Sequence, residues 1–120
     1  MPPIRVAVAI AALPAALHAQ AQSVTVTLTE WKMGTSKDTV NAGAVTFRVS
    51  NGGSMNQELY VKGSGVDKGT RELAKGESAS LTVTLKAGTY ELYCPLSDGS
   101  HKMAGMTKTL VVVAAPAKKP

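Results

Sequence analysis

The sequence predicts an all-β fold, a Greek-key β-sandwich or barrel of about seven strands in a single domain. Short runs alternate apolar and polar residues with a period of two, and they are rich in β-branched side chains, which is typical of half-buried strands. Turns that contain glycine separate these runs. No stretch shows a sustained helical period, so we expect helix in under about a tenth of the chain.

The first strand has the clearest pattern. Ser23–Thr29 alternates strictly, with Val24, Val26 and Leu28 on one face and threonines on the other. The same period, or a run of β-branched and aromatic residues, predicts further strands at Thr39–Val40, Val45–Ser50, Glu58–Val61, Leu81–Leu85, Thr89–Tyr93 and Thr107–Val113.

Five glycine-containing segments are predicted to be the turns of the sandwich. They are Asn41–Gly43, Asn51–Gly53, Gly63–Gly65, Lys75–Gly76 and Lys86–Gly88. Strands of this spacing favour an antiparallel arrangement. Between two of these turns, Gly65–Ala74 lacks a strand pattern, and we expect it to hold one loose turn or a short helix.

The first 21 residues are predicted to be a cleaved signal peptide. Arg5 gives a positive start, Val6–Leu17 is apolar, and Ala19–Ala21 has the small-x-small pattern of a cleavage site. We place cleavage after Ala21, with Ala19 as the alternative, and an uncleaved amphipathic anchor is the competing interpretation. The expected location is therefore periplasmic or secreted. The expected domain covers residues 22–113, and residues 114–120, which are Ala, Pro and Lys, form a disordered tail.

Charge and length exclude several classes of function. Without the leader, 12 basic and 8 acidic residues give a net charge of +4, and the basic residues are dispersed without interleaved aromatics. Nucleic acid is therefore a poor partner. No apolar run is long enough to span a membrane, and a small monomer is expected. We see no catalytic triad, phosphate-binding loop or paired carboxylates, so the chain is not expected to be an enzyme.

Three residues near the C-terminus carry the chemistry. Cys94 ends a predicted strand, and His101 and Met106 follow on a loop of Pro, Ser, Asp and Gly. Thiolate, imidazole and thioether together suit a soft transition metal, above all copper. Taken singly, Cys94 also fits an inert buried thiol, His101 a solvated loop residue and Met106 a gap-filling core residue.

Longer segments around these residues resemble the cupredoxins, small blue-copper β-sandwich proteins. The strand Gly88–Tyr93 leading to Cys94-Pro95 is similar to the strand before the cupredoxin cysteine, and Gly105-Met106 followed by Thr107–Val112 is similar to the axial methionine and last strand. Val45–Gly53 is similar to the strand and turn before the first histidine ligand. The resemblance covers nearly all of the mature region. It implies a cupredoxin-like fold, a copper cofactor and electron transfer with a redox protein partner.

The chain departs from the cupredoxin pattern at two points. The early histidine of the family falls at Gln57, in Gln57-Glu-Leu59, and His18 lies in the leader, so His101 is the only histidine of the mature chain. Six residues separate Cys94 from His101, which is long for this family.

The resemblance therefore implies a variant type 1-like copper site. Its ligands would be Cys94, His101 and Met106, with Gln57 and Met55 as secondary candidates. Two other functions stay open. A single imidazole with thiolate and thioether groups favours Cu(I), and so a Cu(I) carrier or sequestering protein of the cell envelope with a copper-transfer partner. The third possibility is an interaction domain that kept the sandwich and lost the metal.

Overall fold

The computed structural model describes residues 22–96 and 100–115, and these residues form two facing β-sheets with almost no helix. The predicted all-β sandwich is confirmed. The predicted signal peptide, 1–21, and residues 116–120 of the predicted tail lie outside the described residues, as does 97–99. In the part of the chain that is described, no helix is long and apolar enough to cross a membrane.

Within the described residues the chain forms nine strands, two more than the sequence pattern predicts, and one helical turn. In chain order they are β1 Gln22–Thr29, β2 Lys32–Thr35, β3 Thr39–Asn41, β4 Gly43–Asn51, β5 Tyr60–Gly63, β6 Val66–Gly69, β7 Ser78–Leu85, β8 Gly88–Tyr93, α1 Ser100–Met103 and β9 Thr107–Val113.

Both sheets are mixed rather than purely antiparallel. The first sheet has the order β2-β1-β4-β7 and the second the order β3-β9-β8-β5-β6. β1 pairs in parallel with β4, and β3 pairs in parallel with β9, whereas the remaining pairs are antiparallel. The expectation of an antiparallel sandwich was wrong for these two pairs, because the chain changes sheet between β2 and β4 and so returns beside β1 in the same direction.

The core lies between the sheets and follows the alternation read from the sequence. Val24, Val26 and Leu28 of β1 are fully buried. The alternate residues of the neighbouring strands complete the same layer, among them Val45, Phe47, Val49, Tyr90, Leu92, Leu110 and Val112. Period-two burial of this kind fixes the register, since a slip of one residue would turn the apolar face to solvent.

Two hairpins account for the strands that the sequence pattern missed. β5 and β6 are joined by Ser64-Gly65, both with positive φ (43° and 80°), as a two-residue turn that matches strand twist requires. The expected loose turn or helix in Gly65–Ala74 is therefore wrong, because this turn pairs Val66–Gly69 with β5. At the other end, a turn at Glu30-Trp31 joins β1 to β2.

Candidate metal centre

Cys94 is buried at one end of the sandwich, directly after β8. The alternation of β8 turns Tyr90 and Leu92 inward, and Cys94 continues this series with no solvent exposure. The backbone N–H of Cys94 donates to the carbonyl oxygen of Met106 at 3.1 Å. The strand that carries the thiol is thereby tied to the start of β9.

The segment between Cys94 and β9 folds back so that His101 and Met106 are buried. The backbone N–H of His101 donates to Leu96 at 3.4 Å, and that of Met106 donates to His101 at 3.0 Å. His101 is 2 % exposed and Met106 is fully buried. Gly105, with φ of 122°, makes this return possible, because a Cβ there would lie 2.8 Å from the carbonyl oxygen of Trp31.

Gln57 enters the same end of the sandwich from the segment between β4 and β5. It pairs with Leu73 through two backbone hydrogen bonds of 2.9 and 2.7 Å, which hold its main chain in place. Asn51 fixes the loop before it, because its buried amide donates to the carbonyl oxygens of Met55 (2.7 Å) and Leu73 (2.9 Å). The side chain of Gln57 is fully buried.

Three polar side-chain atoms converge in this buried space. Gln57 Oε1 lies 3.1 Å from His101 Nδ1 and 3.5 Å from Cys94 Sγ, and Sγ lies 3.6 Å from Nδ1. The amide oxygen can only accept, so it takes a hydrogen from the thiol and, where Nδ1 is protonated, from the imidazole. The three side chains form one hydrogen-bonded cluster.

Burial and nearby charges disfavour the thiolate form of Cys94, whereas backbone hydrogen bonds favour it. Burial raises the pKa of the Cys94 thiol, because desolvation disfavours the charged form, and the charges of Glu58 and Glu72 act in the same direction. Hydrogen bonds from the backbone of Leu96 and Glu58 lower it. These backbone donors are aimed at the sulfur and can stabilise its negative charge in a metal–thiolate bond.

The amide nitrogen of Gln57 is the anomaly of the site. Among the described residues, it is the one buried side-chain nitrogen or oxygen without a hydrogen-bond partner. A buried unpaired donor costs about 1–3 kcal/mol. The other polar atom of this amide, Oε1, has its contacts with Cys94 and His101.

A surface cavity of about 330 Å³ adjoins the buried group. Its lining residues are Met55, Asn56, Glu72, Leu96 and His101. His101 thus contacts Gln57 and Cys94 with Nδ1 and also borders the cavity. The cavity gives a small solute a path to the imidazole.

Trp31 also contacts the His101 ring. The two rings meet edge to face, with centroids 5.2 Å apart and planes at 80°. Trp31 sits at the β1–β2 turn with φ of 62°, a left-handed conformation that is uncommon for a residue with a large side chain. The contact of Trp31 with His101 carried no sequence signal.

The structure brings together three of the five predicted ligands. Cys94, His101 and Gln57 are in mutual contact, and Met106 is buried and joined to the first two through the backbone. Met55 is 39 % exposed and lines the outer cavity. In residues 22–96 and 100–115, no group of three or more His, Cys, Asp or Glu side chains could hold a metal ion. A metal at this centre therefore needs an amide or thioether ligand beside Cys94 and His101.

This donor set fits copper better than the other common protein metals. Thiolate and thioether sulfur prefer soft ions, and imidazole binds both copper oxidation states. Structural zinc sites are built almost entirely from Cys and His, of which this centre has one each. Calcium and magnesium require several oxygen ligands.

Comparison with known proteins gives one family. A family profile described as "Cupredoxin-like domain" matches residues 4–112. No curated protein sequence matches the chain significantly.

The sandwich is also similar to solved structures of auracyanins. Reduced auracyanin from Roseiflexus castenholzii is 19 % identical, with a TM-score of 0.66 over 79 % of this chain and 98 % of that chain. Auracyanin B is 22 % identical (TM-score 0.65; 79 % and 89 %). Auracyanin A from Chloroflexus aurantiacus, described as a "blue" copper protein, is 20 % identical (TM-score 0.62; 78 % and 99 %). At these identities the similarity establishes the fold alone.

Proposed function

Because the chain belongs to the cupredoxin-like domain family, we propose that it binds copper at Cys94 and His101 and transfers electrons through a variant type 1-like site. The observation that carries the proposal is the contact of Cys94 Sγ, His101 Nδ1 and Gln57 Oε1, which lie 3.1–3.6 Å apart in a buried space. A thiol, an imidazole and an amide oxygen are groups that can bind copper in such a site.

Each residue has a defined part in this proposal. Cys94 binds as thiolate, held by the hydrogen bonds from the backbone of Leu96 and Glu58, and His101 binds through Nδ1. Met106 would supply a weak thioether ligand, and Gln57 Oε1 would supply an amide oxygen where the family pattern has a second histidine. Copper, when bound, supplies the one-electron couple between Cu(I) and Cu(II).

A Cu(I) carrier is the second candidate, and the amide at position 57 favours it. Amide oxygen is a harder and weaker donor than imidazole, so Gln57 stabilises Cu(II) less than a second histidine would. A site of one thiolate, one imidazole and a thioether favours the reduced state of copper. A carrier needs no redox cycling, so a glutamine in place of the second histidine costs it little.

Copper titration with two oxidation states tests the proposal. Purified protein without its leader receives Cu(II) in one series and Cu(I), anaerobically, in another, with Cys94→Ser as the control. We expect one copper per chain and an intense visible Cys-to-Cu(II) band in wild type, and neither in the serine variant, because an alcohol is a poor soft ligand.

The outcomes separate the three functions. Copper bound only as colourless Cu(I) supports the carrier. Absence of stoichiometric binding in both series rejects a copper function and leaves an interaction domain without metal.

We further propose export to the periplasm or outside the cell, with a redox or copper-transfer protein as partner. The leader pattern of residues 1–21 supports this location, and a buried thiol with no second cysteine suits a compartment where disulfides form. Intact mass of the protein recovered from cell fractions checks it. The expected form begins at Gln22, and an unprocessed chain in the cytoplasm would contradict it.

A further inference from the structure

The cavity beside the buried centre has the chemistry of a docking point for a soft cation. The lining of this space of about 330 Å³ includes Met55, Glu72 and His101, which carry a thioether, a carboxylate and an imidazole. Among the described lining residues there is no lysine or arginine. The nearest arginine in sequence, Arg71, is paired with Glu77 at 2.9 Å.

Two carboxylates lie near the cavity and the buried thiol. Burial and then the charge of Glu72 raise the pKa of Glu58, and the charges of both carboxylates add to burial in raising the pKa of the Cys94 thiol. A field of this sign attracts a cation and orients its approach. The buried end of the path is the Cys94–His101 contact of 3.6 Å.

Met55 differs from every other methionine near the centre in its position. Met106 is fully buried, and Met103 is 86 % exposed on α1 without lining the cavity. Met55 is 39 % exposed, lines the cavity with His101, and has its carbonyl held by Asn51 at 2.7 Å. Its backbone is therefore fixed while its flexible side chain reaches both solvent and cavity.

We propose that Met55 is a capture residue for Cu(I) at the mouth of this cavity, with Glu72 attracting the ion and His101 receiving it for the buried site. This inference rests on the proposed copper-binding function. Met55 binds the incoming Cu(I) through its sulfur, and a neutral ligand that the copper donor brought with the ion leaves. Cys94 then replaces Met55, and its thiol proton goes to solvent as the Cu–S bond forms. Copper stays Cu(I) throughout, so no oxidant or reductant is required.

A capture residue changes the rates of Cu(I) loading and release but not the dissociation constant of the Cu(I) complex. If Met55 binds only in passing, its loss slows loading and release by the same factor, and the dissociation constant is unchanged. A resident ligand behaves differently, because its loss weakens the affinity itself. The two roles are therefore separated by measuring both directions.

The test compares Met55→Leu with Met103→Leu in the mature protein. Leucine keeps the volume of methionine and removes the sulfur, and both positions are partly or largely exposed, so the fold should tolerate it. Tetrakis(acetonitrile)copper(I) is mixed anaerobically in a stopped-flow instrument, and the thiolate-to-Cu(I) absorption in the near ultraviolet reports loading. Excess bicinchoninate reports release and, at equilibrium, affinity.

We expect Met55→Leu to slow loading and release about tenfold each, which corresponds to about 1.4 kcal/mol in the barrier. Met103→Leu should match wild type. Wild-type rates in Met55→Leu, equal slowing in both variants, or a weaker affinity in Met55→Leu would each overturn the capture role while copper binding stands. A wild type that takes up no Cu(I) would overturn the proposed function and this inference together.

Discussion

Trp31 lies edge-on against His101, with 5.2 Å between the ring centroids, although 69 residues separate them in sequence. The indole is 45 % exposed and the imidazole 2 %. Trp31 therefore shields the imidazole from solvent while itself remaining at the surface. It is also the single tryptophan of the chain, which makes it an intrinsic probe of the centre.

Tryptophan fluorescence should report copper binding directly. We expect Cu(II) at His101 to quench the emission of Trp31, because a paramagnetic ion with low-lying d states would lie beside the ring, whereas d¹⁰ Zn²⁺ should quench little. The titration is followed in wild type and in Cys94→Ser. Stoichiometric Cu(II) binding by mass spectrometry with unchanged emission would contradict binding at His101.

Gln57→His should create a two-histidine, one-cysteine set. We expect affinity for Cu(II) to rise by more than about tenfold and the visible Cys-to-copper band to strengthen, since imidazole is the better Cu(II) donor. Competition with a chelator and the visible spectrum measure the two effects. Gln57→Leu is the matched control, because it fills the same buried site without a donor atom.

The glutamine variants also test the geometry. If Gln57→His folds normally and neither affinity nor colour changes, side chain 57 does not reach the copper. If Gln57→Leu binds Cu(II) as well as wild type does, Oε1 is not a ligand. Thermal unfolding of the metal-free variants confirms folding. Gln57→Leu removes the unpaired amide nitrogen but also the oxygen that contacts Cys94 and His101, so we expect no gain in stability.

Asn51→Ala should destabilise the metal-free protein by about 3 kcal/mol. The buried amide donates to Met55 and Leu73, and its oxygen accepts from the backbone of Gly53 at 2.9 Å. The substitution leaves these groups without partners. Urea unfolding measures the loss. Asn56→Ala is the control, because the amide of Asn56 is exposed and bonds only Glu72 among the described residues, so its effect should stay within about 0.5 kcal/mol. An equal loss of stability in Asn51→Ala and Asn56→Ala would contradict the role of Asn51 in fixing this loop.

Glu77 should make stability depend on pH on the acid side. A hydrogen bond from the backbone of Ala74 and the pairing with Arg71 hold the pKa of Glu77 below its ordinary value of 4.5. A carboxyl with a lowered folded pKa stabilises the fold above its unfolded pKa, and this contribution disappears as the pH falls through the folded pKa. Urea unfolding from neutral to acidic pH should therefore show a steeper loss in wild type than in Glu77→Gln. If stability falls with pH equally in wild type and Glu77→Gln, the Arg71–Glu77 pair contributes no measurable stability, as is common for exposed pairs.

The sequence determined the strands of the core and which residue types are present as candidate metal ligands. Strict alternation in Ser23–Thr29 and in Val45–Ser50 predicted the strands β1 and β4, because a half-buried strand has a side-chain period of two. Cys94 at the end of a strand, followed by His101, predicted a soft-metal loop, since ligand chemistry is a property of residue type. These inferences need only local pattern and composition.

Tertiary structure alone decided which distant groups meet. The parallel pairing of β1 with β4 and the contact of Trp31 with His101 join segments that carry no mutual signal in the sequence. Gln57 Oε1 lies 3.1 Å from His101 Nδ1. This position depends on the backbone pairing of Gln57 with Leu73 and on the hydrogen bonds by which Asn51 fixes the loop. Such contacts arise from how the two sheets stack and from long-range hydrogen bonds. A single sequence specifies those only through the free energy of the whole fold.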